Sequence, residues 1–120
     1  QRVVRKIHDK CKVAYSPDPK MIEDVEANLG NLMPAGREIK FFKGKGDAEC
    51  GNSGYFGRVG IFEVMPVTEK LSKLILERAS SADIEKMARD EGMITLKQDG
   101  YLKVLEGITS IEEILRVAQE

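Results

Sequence analysis

One hundred and twenty residues, 42% of them apolar, are enough for one ordinary domain or two small lobes with a hydrophobic core. A formal charge of −1 argues against a dedicated nucleic-acid binder, and no apolar run approaches the ~20 residues needed to cross a bilayer. Two cysteines make no disulfide framework, so a reducing compartment is the default.

The first element read along the chain is a basic strand over Gln1 to Ile7, carrying β-branched Val3, Val4 and Ile7. It already reads as the middle of an element, so the expectation is a segment of a longer protein. Residues 1 to 12 hold Arg2, Arg5, Lys6, Lys10 and Lys12 against Asp9 alone, and an acidic stretch around Asp18, Glu23, Asp24 and Glu26 follows. Opposite patches of this kind suit subunit contacts, or else they are two solvated faces. Ser16-Pro-Asp-Pro19 breaks the chain and opens a helix from about Pro19 to Leu29, with Met21, Ile22, Val25 and Leu29 on one face and Gly30 as its stop. Residues 31 to 37, with Pro34 and Gly36, read as loop. Glu38 to Lys43 alternates around Ile39, Phe41 and Phe42 and reads as one arm of a hairpin.

A glycine-dense loop then runs from Gly44 to Gly57 into an alternating segment over Arg58 to Met65, ended by Pro66. From Thr68 the period changes from two to 3.6. Four apolar stripes follow: Leu71, Leu74 and Ile75; Ile84, Met87 and Ala88; Leu102 and Leu105, with Ile94 before them; and Ile111, Ile114, Leu115 and Ala118. Ser80 with Asp83, Thr95 with Gln98, and Thr109 with Glu112 or Ser110 with Glu113 mark the starts, and Gly92 and Gly107 the stops. Connections this short predict one compact helical lobe packed on the strand before it.

The chemistry-bearing residues fall into two spaced pairs. His8 stands three residues before Cys11, and Asp47 three before Cys50. Such spacing lets two side chains of one tight turn reach the same ion, so His8, Cys11, Asp47 and Cys50 are the candidate zinc ligands. The alternative is a lobe that has lost its ion, with His8 and Asp47 as turn residues and the cysteines as small buried hydrophobes. A disulfide between Cys11 and Cys50 is a further option under oxidation. Gly44-Lys-Gly lacks the G-x-x-x-x-G-K-[ST] spacing of a phosphate loop, and no serine sits in a nucleophile elbow. Catalytic and cofactor-binding residues are therefore not expected within this chain.

The run Gly46-Asp-Ala-Glu-Cys-Gly-Asn-Ser-Gly-Tyr-Phe-Gly-Arg-Val-Gly-Ile-Phe-Glu63 resembles the G-C-x-x-C-x-x-T-G-Y-x-G-R-x-G-I-x-E signature of the type II secretion and type IV pilus assembly ATPases. Gln1-Arg-Val-Val-Arg-Lys-Ile7 and Asp99-Gly100 with Lys103 to Val117 resemble the family's flanking motifs, and His8 and Asp47 depart from its cysteines. The resemblance implies an α+β fold. Residues 1–7 would end an ATPase-domain strand, residues 8–57 would form an inserted knuckle lobe with a short helix and hairpin, residues 58–67 would be the returning strand, and residues 68–120 a lobe of about four helices. It places Arg58 and Glu63 where a salt bridge or capping contact could tie the helical lobe to the ATPase core. Arg2 and Arg5 could reach a neighbouring subunit's phosphates, or form a solvated basic edge.

The function so implied is the C-terminal part of a hexameric ATPase that drives pilin or pseudopilin assembly at the cytoplasmic face of the inner membrane. ATP and magnesium would be bound upstream, and this part would serve contacts with other subunits and with inner-membrane platform proteins, without nucleic acid and without membrane insertion. A stand-alone zinc-knuckle binding or adaptor module is the alternative. A nucleic-acid version of that module predicts aromatic side chains among the basic ones, and Tyr15, Phe41 and Phe42 are few and scattered.

Overall fold

A computed structural model describes residues 1–33 and 39–118. The loop expected around Pro34 and Gly36, and the Glu38 end of the expected hairpin arm, lie outside the described residues. The fold is α+β, with five α-helices and two antiparallel two-stranded sheets among the described residues. Among the described residues, no helix is long and apolar enough to cross a membrane.

Strand β1 (Arg2–Ile7) pairs with β4 (Tyr55–Ile61), from Arg2 opposite Ile61 to Ile7 opposite Tyr55, with an irregularity between Arg5 and Ile7. β4 starts and ends earlier than the alternation over Arg58 to Met65 predicts. The reason is register: Ile61 faces Arg2, so the residues after it have almost no β1 left to pair with. The Phe62 amide turns instead to the Asp99 carboxylate at 2.9 Å. Glu63, read from the sequence as a strand residue, accepts the Leu96 amide at 2.8 Å at the start of a helix. That contact is a capping one. Between the paired strands the chain forms β2 (Lys12–Tyr15) and β3 (Phe41–Gly44), which pair from Lys12 opposite Gly44 to Tyr15 opposite Phe41.

Helix α1 (Pro19–Leu29) begins where the Asp18 side chain accepts the Lys20 amide and Pro19 supplies a pre-set φ, and it buries Val25 and Leu29. The later helices are α2 (Glu69–Leu76), α3 (Ser81–Asp90), α4 (Leu96–Leu105) and α5 (Ile111–Val117). Thr68, Ser80, Thr95 and Ser110 cap them, and Thr95 with Gln98 makes a reciprocal capping box. Of the two candidate caps of α5, Ser110 is the one used. Thr109 instead donates its hydroxyl to the Arg5 carbonyl at 2.7 Å.

The four later helices make their main contacts in two pairs. α2 and α3 pack on each other, while α4 and α5 pack against α1 and β1. Val4, Val25, Leu29, Phe41, Ile61, Tyr101, Val104, Ile111 and Ile114 form one buried cluster, so α1 and β3 share their core with α4, α5 and the β1–β4 pair. Each fully buried aliphatic side chain there contributes roughly 1.5–3 kcal/mol. Gly100 permits the closest part of this packing, since a Cβ at that position would come within 2.8 Å of Ile114. Polar contacts add to the α1–α4 seam. The Tyr101 hydroxyl donates to the Asp24 carboxylate, and Gln98 Nε2 donates to the Asn28 carbonyl at 2.7 Å.

One buried carboxylate among the described residues is held by two half-exposed arginines. Glu113, only 2% exposed, accepts the Arg5 amide at 2.9 Å, Arg5 Nη2 at 2.8 Å and Nε at 3.1 Å, and Arg116 Nη2 at 2.9 Å. Arg5 is thus committed within the chain rather than forming a free basic edge, and its guanidinium lies 4.1 Å over the Tyr55 ring. Burial by itself would raise the Glu113 pKa, but the hydrogen bonds from Arg5 and Arg116 outweigh it and bring the value down to about 2. A carboxylate held that low adds stability that is complete above its ordinary value of 4.5 and is lost as pH falls through about 2. Glu113→Gln is therefore expected to lower unfolding free energy by about 2–3 kcal/mol at pH 7. Urea titrations across pH should show the gap between the two proteins closing from pH 4.5 towards pH 2, whereas a constant gap would mean that the carboxylate charge is not the source.

Candidate metal centre

Two tight turns meet at the end of the β1–β4 pair. In the first, Asp9–Cys11 forms a single 3-10 turn, with the Cys11 amide donating to the His8 carbonyl at 3.2 Å. In the second, the Asn52 amide donates to the Asp47 carbonyl at 2.7 Å, and Gly51 and Asn52 adopt φ of 64° and 62°. Asn tolerates this left-handed conformation better than most residues, which explains Gly-Asn at this corner.

The turns are fastened to each other through backbone. The His8 amide donates to the Gly54 carbonyl at 2.9 Å, and the Lys45 amide to the Cys11 carbonyl at 3.0 Å. Gly54, at φ 82°, lies so close to Gly44 that a Cβ on Gly44 would sit 2.1 Å from the Gly54 carbonyl oxygen. No side chain fits there, so the glycine density of this loop is a packing requirement as well as a turn signal.

This framework brings His8, Cys11 and Cys50 together, with one ligand atom from each lying within 4.8 Å of the others. Both cysteines are free thiols, partly buried. The Cys50 sulfur accepts the amides of Asp47 and Gly54, each at 3.3 Å. His8 is 6% exposed, and its buried Nδ1 has no hydrogen-bond partner. That nitrogen does lie 3.2 Å from Asp47 Oδ2, a close approach without hydrogen-bond alignment. A buried imidazole nitrogen left over beside two thiols fits a site for a borderline-soft ion such as zinc.

Asp47 falls in a second grouping that shares His8 with the first. Its carboxylate clusters with His8 and Glu49, and its Oδ1 accepts the Cys50 amide at 3.0 Å. That backbone hydrogen bond holds the Asp47 carboxyl below its ordinary range. Glu49, which sequence reasoning passed over, has Oε2 at 3.7 Å from His8 Nε2 and 2.9 Å from Lys10 Nζ. The available signal was its place inside Asp47-Ala-Glu-Cys50, with Lys10 at the matching place of the first turn. Phe56 closes one side, its ring centroid 5.5 Å from that of His8.

The sequence profile of a family described as "Type II/IV secretion system protein" matches residues 1–116. Among individual relatives, the chain is 36% identical over 115 residues to the type IV pilus assembly ATPase PilB of Thermus thermophilus, covering 96% of this chain and 12% of that protein. It is 37% identical over 120 residues to type II secretion system protein E of Xanthomonas campestris, covering all of this chain and 20% of the relative. It is 33% identical over 117 residues to the protein transport protein HofB homolog of Escherichia coli, covering 98% and 23%. The chain therefore spans between about an eighth and a quarter of the length of these relatives. Its match along nearly every residue, from β1 to α5, means that the chain belongs to the type II/IV secretion system protein family.

Proposed function

We propose that this chain is one section of a secretion or pilus assembly ATPase, working at the cytoplasmic face of the inner membrane. In this reading the whole protein acts as a homohexamer. ATP and magnesium are bound by another part of it, and their turnover drives addition of pilin or pseudopilin subunits. The section described above supplies contacts to neighbouring subunits and to inner-membrane platform proteins. The observation that carries the reading is the family match over residues 1–116, together with relatives whose names are those of pilus assembly and secretion proteins. The rigid attachment of α5 to β1 through Arg5 and Glu113 supports a mechanical role, because a force applied to either element reaches the other through charged hydrogen bonds.

Within that section the two turns act as a structural zinc clamp. His8, Cys11 and Cys50 would hold the ion, with Asp47 adjoining, and the metal would supply cross-linking of the turns rather than reaction chemistry. The chain's own residues pre-shape the site by directing amides onto the Cys50 sulfur and by packing Gly44 against Gly54.

The 120-residue chain is expected neither to retain a fluorescent ATP analogue nor to show magnesium-dependent ATP turnover. Turnover that follows this chain through successive purification steps would contradict the division of labour proposed. Prepared under a non-thiol reductant, it is expected to carry about one zinc per chain. A chelator should then speed amide hydrogen exchange over Asp47 to Gly54 while leaving α4 and α5 unchanged, since their core contains no ligand. Protein free of metal, with exchange unmoved by added zinc, would mean that packing and turn glycines alone hold the turns.

A further inference from the structure

We propose that Cys11 and Cys50 are a site of reversible thiol oxidation, closing to an intramolecular disulfide when hydrogen peroxide reaches them. The inference goes beyond the zinc reading above and does not depend on it. Both residues are free thiols and partly buried, and Cys50 has the more open side chain, so a small oxidant meets its sulfur first. The two sulfurs lie within 4.8 Å of each other. A disulfide needs a separation of about 2.0 Å, and one rotamer step at a cysteine displaces its sulfur by an amount comparable to the gap.

The backbone on both sides of the pair is already docked. Lys12, next to Cys11, pairs with Gly44 at the end of β3, and the Lys45 amide donates to the Cys11 carbonyl at 3.0 Å. On the other side, the His8 amide donates to the Gly54 carbonyl at 2.9 Å, and the Gly54 amide donates to the Cys50 sulfur at 3.3 Å. Folding thus brings together residues about forty positions apart, and it presents the second sulfur at high effective concentration. Oxidation then proceeds by two displacements. The Cys50 thiolate attacks a peroxide oxygen, the O–O bond breaks, and a sulfenic acid forms while the departing hydroxide takes up the thiol proton as water. The Cys11 thiolate attacks the sulfenic sulfur, the S–S bond forms, the S–O bond breaks, and a second water leaves with the Cys11 proton. Two electrons pass from the sulfurs to the peroxide, and a dithiol returns them by exchange. Sulfurs joined in this bond are no longer thiolate ligands, so a metal and the disulfide are alternative fastenings of the same two turns. In a reducing compartment the pair rests as thiols, and the bond records exposure to oxidant.

The test uses the 120-residue chain, stripped of metal by a chelator, fully reduced, and then treated with hydrogen peroxide. Both thiols should be lost, the intact mass should fall by about 2 Da, and the product should run as a monomer on a non-reducing gel. Peptide mapping should join Cys11 to Cys50, and dithiothreitol should restore both thiols. In glutathione buffers the disulfide of the folded chain should be favoured at least about tenfold over that of the same chain in urea. In Cys11→Ser, which lacks the second thiol, dimedone should label Cys50 as the sulfenic acid. Sulfinic acids or cross-linked dimers in place of the internal bond, or equal equilibria in the folded chain and in urea, would overturn the proposal. A second arm repeats the oxidation on chain incubated with zinc, with a chromogenic chelator reporting release. One zinc freed per disulfide is expected, and a disulfide that forms while zinc stays bound would overturn the alternation. A chain that takes up no zinc yet closes the disulfide as described would remove the zinc reading alone and support this proposal.

Discussion

The structure depends on a carboxylate placed where carboxylates are seldom found. Glu113 is buried at the start of α5, and it remains ionised because Arg5 reaches it with its backbone amide and with two guanidinium nitrogens. Water could not solvate the charge there, so the geometry of its donors has to. The arrangement also fixes β1 in three dimensions. Thr109 takes the Arg5 carbonyl, Ile108 takes the Ile7 amide at 3.0 Å, and Ser110, the cap of α5, meets the Tyr55 hydroxyl at 2.6 Å. Residues over a hundred positions apart are thereby locked into one register. The two turns that follow β1 and precede β4 are presented on this fixed base.

That base explains how a site assembled from distant turns can be ordered. His8 immediately follows β1, and Cys50 stands five residues before β4, so the pairing that brings Ile7 opposite Tyr55 brings the turns together as well. The backbone bonds from His8 to Gly54 and from Lys45 to Cys11 complete the approach before any ion need bind. A metal added to such a frame stabilises it by closing a loop of some forty residues, an effect that grows only slowly with loop length. Beside the α2–α3 pair, Leu76, Val64 and Val67 are exposed.

Much of the local structure was legible in the sequence because its causes are local. Hydroxyl caps followed by a polar residue three positions on, Pro19 at a helix start, and glycines at the stops each act within one turn, and the helices begin and end where they direct. The spacing of His8 with Cys11 was legible for the same reason, and so was the place of Cys50. What escaped was long-range and polar. Nothing in the periodicity of α5 marks Glu113 as buried, since its neighbour Glu112 is exposed and the pattern of stripes reserves the interior for apolar residues. The end of β4 depends on where β1 runs out, and the packing of α1 on α4 joins segments some seventy residues apart. The bond from the Cys50 amide to the Asp47 carboxylate is a contact that spacing does not encode.

Native-state hydrogen exchange tests the central claim, that β1 and the α4–α5 helices form one cooperative unit held by the Arg5–Glu113 contact. The account predicts that the amides of Arg5 and Ile7, bonded to Glu113 and Ile108, exchange only through the same global opening that exposes Tyr101 and Val104. Their opening free energies and denaturant dependences should coincide. Rapid exchange of Arg5 and Ile7 through a smaller opening, while Tyr101 and Val104 stay protected, would contradict it.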